Sequence, residues 1–220
     1  MRTLVVIPTY NESAAIGGLV NKILVQKLDI LVIDDGSSDD TALIAGKNGA
    51  EVIINSKNLG KGAAIVKGFR YAVDKGYDAV ITMDGDGQHL PEEIPKFLQK
   101  SYETSAGILI GNRMSRVKNM PWLRIFTNWF MSWILSKITG QRIPDSQCGY
   151  RLIRREVFHD LSLKTSKYET ESEILIKAAR KNFKIDSVVI DTIYVRHKSY
   201  INPFIDTFRF FRLLIRIANK

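Results

Sequence analysis

The stretch "DAVITMDGDGQH", residues 78–89, joins a short apolar run to two closely spaced aspartates. The valine and isoleucine in residues 78–82 predict a buried strand. Asp84 and Asp86 follow where that strand leaves the core, and the glycines on each side of Asp86 let the backbone approach a ligand closely. Two carboxylates at this spacing can hold Mg²⁺ or Mn²⁺ together with ligand phosphate oxygens. A simple polar turn has the same pattern, so the rest of the chain must decide.

The first half of the chain alternates strand-like and helix-like segments. Further apolar runs rich in valine and isoleucine predict strands at residues 3–7, 30–34 and 51–54. Helix-like stretches lie between the strands, at residues 13–27, 39–48 and 61–74, with Ser13 and Asp39 as candidate N-caps. This alternation predicts an α/β fold with a mainly parallel sheet flanked by helices.

Polar clusters follow three of the predicted strands. They are "PTYNE" at residues 8–12, "DDGS" at 34–37, and "DGDGQH" at 84–89. In an open parallel sheet, ligands bind in the crevice at the carboxyl ends of the strands. We therefore predict that the three clusters line one pocket.

Several common phosphate and metal motifs do not fit this pocket. No G-x-G-x-x-G follows the first strand, and "NLGKGAAIVKG" lacks the lysine–serine/threonine pair of a P-loop. An EF-hand fails because His89 stands where glycine is needed and Pro95 where the closing glutamate belongs. What remains is a hard-cation site built on the paired aspartates.

Length and composition indicate one domain, or one domain with an appendage, and give no sign of an oxidising compartment. The chain has 220 residues, and its single cysteine, Cys148, cannot form an internal disulfide. We predict a domain over residues 1–200 and a basic amphipathic helix over 201–220 as its appendage. No signal peptide and no uniformly apolar window of membrane-spanning length is visible, which favours a cytoplasmic location.

The basic charge is concentrated in two aromatic-rich segments. Residues 104–144 carry six basic and no acidic residues, and residues 194–220 carry six basic residues and one acidic residue, within a net charge of +9. Helical spacing places polar and aromatic residues of the first segment on different faces: Arg124, Asn128, Ser132 and Ser136 on one, Trp122, Phe126, Trp129 and Trp133 on another. Both segments suit the headgroup region of a bilayer better than nucleic acid. The alternative is that they cover the sheet or a protein partner, either a second copy of the chain or a membrane protein.

Six motifs occur in a familiar order: "VVIPTYNE", "VIDDGSSDDT", "NLGKGAA", "MDGDGQH", "IGNR" and "DSQCGYR". Together they resemble the family 2 inverting glycosyltransferases, especially the dolichyl- and polyprenyl-phosphate sugar synthases, from Thr3 to about Pro203. The resemblance implies the glycosyltransferase A fold, a Rossmann-like sheet that binds a nucleotide-sugar with Mg²⁺ or Mn²⁺.

The resemblance also implies roles on the donor side. Pro8, Tyr10 and Glu12 would contact the base and ribose of the donor, and Asp35 would hydrogen-bond the base. Asp84, Gly85 and Asp86 would bind the donor. The implied metal ligands are Asp86, Gln88 and Asp84.

On the acceptor side, the resemblance implies phosphate contacts. Arg113 of "GNR" would act in catalysis with Asp84 and Asp86, and would meet phosphate. Arg124 and Asn128 resemble an arginine–serine pair that binds the lipid phosphate. Further phosphate contacts, Arg196 and Lys198, lie in "VRHKSYINP", which departs from the subgroup's R-x-x-G-x-S-K.

We therefore predict an inverting, metal-dependent enzyme that transfers a sugar from a GDP- or UDP-sugar to a polyprenyl phosphate, peripherally at the cytoplasmic face of a membrane. One alternative is a soluble transferase acting on a hydroxyl group, which would need a general base such as Asp145 or Glu171. Another is a non-catalytic module that binds a nucleotide-sugar or a membrane. The residues do not name the sugar or the base.

Overall fold

The structure, a computed structural model, describes residues 1–117, 120–193 and 203–218. Its strands are β1 (Thr3–Thr9), β2 (Asp29–Asp34), β3 (Glu51–Ile54), β4 (Ala79–Thr82), β5 (Ile108–Asn112), β6 (Arg151–Arg154) and β7 (Ile185–Val189). Its helices are α1 (Ser13–Leu24), α2 (Thr41–Lys47), α3 (Lys61–Asp74), α4 (Ile94–Glu103), α5 (Trp122–Thr139), α6 (Arg155–Asp160), α7 (Glu169–Arg180) and α8 (Pro203–Ala218).

The strands form one seven-stranded sheet in the order β3-β2-β1-β4-β6-β5-β7. The pairs β1–β2, β1–β4, β2–β3 and β5–β7 are parallel, whereas β6 runs antiparallel to both β4 and β5. The carboxyl ends of β1, β2, β4 and β5 therefore reach the same edge, which the amino end of β6 also meets. The predicted mainly parallel sheet flanked by helices is confirmed.

The predicted segments agree with the structure to within a few residues. The bounds of β3 and α3 are as predicted, whereas α1 ends three residues early, before Lys27 with its positive φ of 58°. The predicted N-caps are wrong, because Glu12 and Asp40 occupy those positions. Asp39 instead accepts backbone N–H groups from Thr41 at 3.0 Å and from Ser13 at 3.2 Å, which links the starts of α1 and α2.

Helix α5 turns its polar side inward and its aromatic side outward. Asn128 and Ser132 are buried, and Ser132 Oγ accepts the backbone N–H of Ser146 at 2.9 Å. The outward side chains are large and apolar, with exposed fractions of 77% for Trp122, 57% for Trp129 and 50% for Trp133. Exposed apolar patches of this kind are typical of surfaces that bind a protein or a membrane.

Helix α8 also exposes large apolar side chains, but the residues it buries are apolar. Phe210 and Leu213 are buried, whereas Phe208, Phe211 and Ile215 are exposed. Both α5 and α8 pack against α7. None of the helices in the described part of the chain is long and apolar enough to cross a membrane.

Candidate active site

The loop before α3 is held by a buried carboxylate at the end of β2. Asp35 is 3% exposed, and its oxygens accept hydrogen bonds from the Asn55 amide at 2.9 Å and from the backbone N–H groups of Leu59 at 2.9 Å and Gly60 at 2.6 Å. Its predicted hydrogen bond to the donor base stays a prediction. In the structure, Asp35 fixes the chain just before the first residue of α3.

That first residue, Lys61, reaches the paired aspartates. Its Nζ lies 2.6 Å from Asp84 Oδ1 and 2.9 Å from Glu171 Oε1 of α7. Burial alone would raise the pKa of Asp84, but the positive charge of Lys61 outweighs it and lowers that pKa below the ordinary range. A Cβ at Gly149 would lie 2.8 Å from both Lys61 Nζ and Asp84 Oδ1, so this ion pair requires glycine before β6.

The second aspartate closes a tight turn. Asp86 Oδ1 accepts the backbone N–H of Gln88 at 3.0 Å, and its Oδ2 accepts the Gln88 amide at 2.8 Å. Gly87, with φ of 74°, provides the left-handed backbone that this turn needs. Asp86 and Gln88 are only half-buried, so they remain open to a ligand.

His89 is a structural neighbour of these carboxylates. Its Nδ1 accepts the backbone N–H of Asp84 at 3.1 Å, and its ring stacks on Tyr150 with centroids 5.0 Å apart. Burial lowers the pKa of His89, although Asp84 and Asp86 oppose that effect. A neutral ring that accepts a hydrogen bond at Nδ1 holds the backbone at Asp84 in place.

The site concentrates negative charge. The pKa of Glu12 is raised to about 7, first by burial and then by the charges of Asp86, Asp84 and Asp39. Among the described residues, no three acidic, histidine or cysteine side chains converge into a complete metal cage. Carboxylate and amide oxygens that need phosphate oxygens to complete the coordination fit Mg²⁺ or Mn²⁺, which protein sites often hold through one or two carboxylates and a substrate phosphate.

The raised pKa of Glu12 predicts a pH-dependent effect of its removal. Below pH 7 the Glu12 carboxyl of the native protein is protonated and neutral, so the neutral glutamine side chain resembles it. Above pH 7 the Glu12 carboxyl is ionised beside the charges of the neighbouring aspartates, and glutamine removes that repulsion. Glu12→Gln should therefore raise Tm in chelator at pH 8 by several degrees and leave it nearly unchanged at pH 5. Thermal unfolding checks this, with the exposed Glu156→Gln as control; an equal effect at both pH values would contradict it.

Arg113 enters the site from the end of β5. Its Nε donates to Asp145 Oδ2 and its Nη2 to Asp145 Oδ1, both at 2.8 Å, and its backbone N–H donates to Oδ2 at 3.0 Å. Asn128 of α5 donates to Oδ1 at 2.6 Å. Although burial raises the pKa of Asp145, these donors lower it below the ordinary value. The charge of Arg113 also contributes to the low pKa of Asp84, which associates the arginine with the aspartates.

The structure places the other predicted residues as follows. Pro8 is buried within β1, and Tyr10 is half-buried just beyond its end. Arg124 is exposed on α5, whereas Asn128, four residues on, is 1% exposed and directed at Asp145. The structure thus separates the predicted acceptor pair, and its role stays a prediction. Arg196 and Lys198 lie outside the described residues.

The ion pairs of Lys61 with Asp84 and Glu171 were not predicted from the sequence. The motif "NLGKGAA" contributed to the resemblance, but its lysine received no role. The glycine before it, with φ of 102°, is the signal that could have found it, because such a glycine marks a chain that turns sharply into a helix. Glu171, considered only as a base, is its second ion-pair partner.

Comparisons with known proteins show the family of this chain. The family described as "Glycosyl transferase family 2" matches residues 4–162. UDP-N-acetylglucosamine–dolichyl-phosphate N-acetylglucosaminyltransferase of Methanococcus voltae is 32% identical, over 98% of this chain and 96% of the relative. Polyprenol monophosphomannose synthase of Mycolicibacterium smegmatis is 34% identical, over 86% of this chain and 76% of the relative.

A solved structure has the same fold. Glucosyl-3-phosphoglycerate synthase from Mycobacterium tuberculosis, in complex with Mn²⁺, uridine diphosphate and phosphoglyceric acid, superposes with a TM-score of 0.72 at 22% identity, covering 97% of this chain and 75% of that one. The sheet and its flanking helices have the glycosyltransferase A fold. The chain belongs to glycosyltransferase family 2, and it is a glycosyltransferase.

Proposed function

We propose that the enzyme transfers a sugar, with inversion, from a nucleoside diphosphate sugar to the phosphate of a polyprenyl lipid at a membrane surface. The two relatives named above support this acceptor, because one name specifies dolichyl phosphate and the other a polyprenol monophosphomannose product.

One observation carries the proposal: helix α5 adjoins the site on one face and exposes tryptophans on the other. Its inward Asn128 binds the carboxylate that holds Arg113, while Trp129 and Trp133 are at least half exposed. When the phosphate of a lipid acceptor must reach a polar site while the hydrocarbon chain of that acceptor stays in the bilayer, the enzyme needs such a helix. An enzyme acting on a soluble acceptor has no such need.

The proposed donor site lies at the ends of β1 and β4. Pro8, Tyr10 and Glu12 would contact the nucleoside, and Asp84, Asp86 and Gln88 would hold Mg²⁺ or Mn²⁺. When bound, such an ion neutralises charge that grows on the leaving diphosphate. Arg113 would bind phosphate beside Asp84 and stabilise the same charge through fixed hydrogen-bond donors.

The proposed acceptor needs no general base. A phosphate monoester is already anionic at neutral pH, so it can attack the sugar without losing a proton first. Both candidate bases are engaged elsewhere, since Asp145 is 0% exposed and bonded to Arg113, and Glu171 pairs with Lys61. Arg124, exposed on α5, would attract the lipid phosphate, together with Arg196 and Lys198.

The membrane would lie against α5 and α8. Arg124 and Lys137 of α5 and Arg212 and Arg216 of α8 are exposed on the helices that expose the aromatic residues. Tryptophan and phenylalanine favour the interface of a bilayer, and each basic residue near an anionic surface contributes about 1 kcal/mol. Residues 1–200 would form the catalytic domain and 201–220 its membrane-binding appendage.

The proposal is tested by a comparison of acceptors. Purified protein with Mn²⁺ or Mg²⁺ and a panel of GDP- and UDP-sugars should form glycolipid from a short polyprenyl phosphate. The matching polyprenol without phosphate, and phosphoglyceric acid, should be poor acceptors. Rapid transfer to a soluble hydroxyl acceptor with none to polyprenyl phosphate would contradict the proposal and favour the soluble transferase.

Replacing two tryptophans should separate membrane binding from donor binding. Trp129→Ser combined with Trp133→Ser should weaken binding to anionic liposomes by tenfold or more, because roughly 2–3 kcal/mol is lost per large aromatic side chain withdrawn from an apolar environment. Nucleotide affinity should not change. Liposome sedimentation and calorimetry check this, with the exposed Tyr102→Ser on α4 as the control. Unchanged sedimentation of the double variant would show that α5 does not touch the lipid.

A further inference from the structure

We propose that Asp145 is a positioning residue that fixes the guanidinium of Arg113 in the site and, through Asn128, ties that arginine to helix α5. The inference rests on the proposed function, because it deepens the role given there to Arg113. Asp145 itself would touch neither donor nor acceptor.

The contacts between Arg113 and Asp145 leave the arginine one orientation. The carboxylate accepts Nε–H and Nη2–H at 2.8 Å each, in the two-pronged arrangement that matches the guanidinium plane. The backbone N–H of the same residue donates to Asp145 Oδ2 at 3.0 Å. One carboxylate therefore holds both the guanidinium and the backbone N–H of Arg113. An exposed ion pair would not fix the side chain in this way.

The contacts of Asp145 with α5 are equally enclosed. The side-chain amide of Asn128 donates to Asp145 Oδ1 at 2.6 Å, and its side-chain oxygen Oδ1 accepts the Ser132 hydroxyl at 3.1 Å. The Ser132 hydroxyl in turn hydrogen-bonds the hydroxyl of Ser146, the neighbour of Asp145, at 3.0 Å and accepts the backbone N–H of Ser146 at 2.9 Å. Asp145 and Asn128 are 0% and 1% exposed, so water does not compete for these hydrogen bonds.

This network connects the outer surface of α5 to the site. A shift of α5 must either move Asp145, and with it Arg113, or break buried hydrogen bonds to a charged group. Contact of Trp129 and Trp133 with a lipid surface would therefore stabilise α5 in the position that orients Arg113. The acceptor-bearing membrane and the donor-side arginine would be linked through one carboxylate.

A double-mutant cycle tests whether Asp145 acts through Arg113. Asp145→Asn should lower kcat/KM for transfer to polyprenyl phosphate by about 100-fold, as expected for a misplaced reacting geometry. Asn128→Ala, which removes one hydrogen bond to the carboxylate, should lower it by roughly tenfold. Adding either substitution to Arg113→Ala should cause little further loss, because groups that act as a unit are not additive.

Ser136→Ala is the matched control, because Ser136 lies on the same stripe of α5 but its hydroxyl bonds only to backbone groups of Ser132 and Ile143 among the described residues, and not to Asp145. It should retain wild-type activity. If Asp145→Asn does not fold, as thermal unfolding would show, the cycle of Asn128→Ala with Arg113→Ala replaces it.

If the fold-losses in kcat/KM of the two single variants multiply in the double variant, while the wild type transfers sugar to polyprenyl phosphate, the positioning role is overturned and the proposed function stands. Full activity of Asp145→Asn, or of Asn128→Ala if Asp145→Asn does not fold, would overturn it as well. Full activity of Arg113→Ala would overturn both this inference and the role of Arg113 in the proposed function.

Discussion

Asp86→Ala is expected to lower kcat by about a thousandfold or more while the protein stays folded. The carboxylate would hold the divalent ion at the diphosphate, where charge grows in the transition state. Within the described structure, its hydrogen bonds go only to Gln88 and it is half-buried, so its loss should cost little stability. Transfer assays measure the loss, and calorimetric titration of Mn²⁺ with the nucleotide measures binding independently of turnover.

The control for Asp86 is Asp74→Ala, an exposed aspartate at the far end of α3. It should retain full activity and Mn²⁺ binding. Undiminished sugar transfer by Asp86→Ala, or by the wild type in excess chelator, would contradict the proposed role of a divalent metal.

Lys61→Met should produce the largest loss of stability. It leaves Asp84 and Glu171, with side chains 31% and 10% exposed, facing each other without the ammonium that separates them. Removal of one partner from a largely buried ion pair costs about 3–5 kcal/mol. For a protein of this size, we expect Tm to fall by roughly 10 °C at pH 7.

The sign of the pH dependence follows from Asp84. Its pKa is lowered in the folded state, so its contribution is complete above the ordinary aspartate value of about 4 and is lost as pH falls further. The difference in Tm between wild type and Lys61→Met should therefore shrink below about pH 4. The exposed Lys57→Met in the same loop is the control. A Tm equal to that of the wild type at pH 7 would contradict the ion-pair account.

The sequence alone predicted the α/β sheet, the edge that carries the site and the cluster of Glu12, Asp84, Asp86 and Gln88. Those predictions depend on local patterns: apolar runs that can only be buried strands, and polar residues placed where parallel strands end. Parallel strands bring their carboxyl ends together whatever the details of packing. Chain order was therefore enough to bring these residues to one edge.

Only the tertiary structure decided which polar groups bind each other. Lys61 and Glu171 are 110 positions apart, and Asp145 lies in the loop after α5, 17 positions from Asn128, so no local spacing reveals either contact. Helical periodicity gave the two faces of α5 but not which of them is buried. Buried carboxylates in the core needed hydrogen-bond donors, and the polar face supplied them, which left the tryptophans outside.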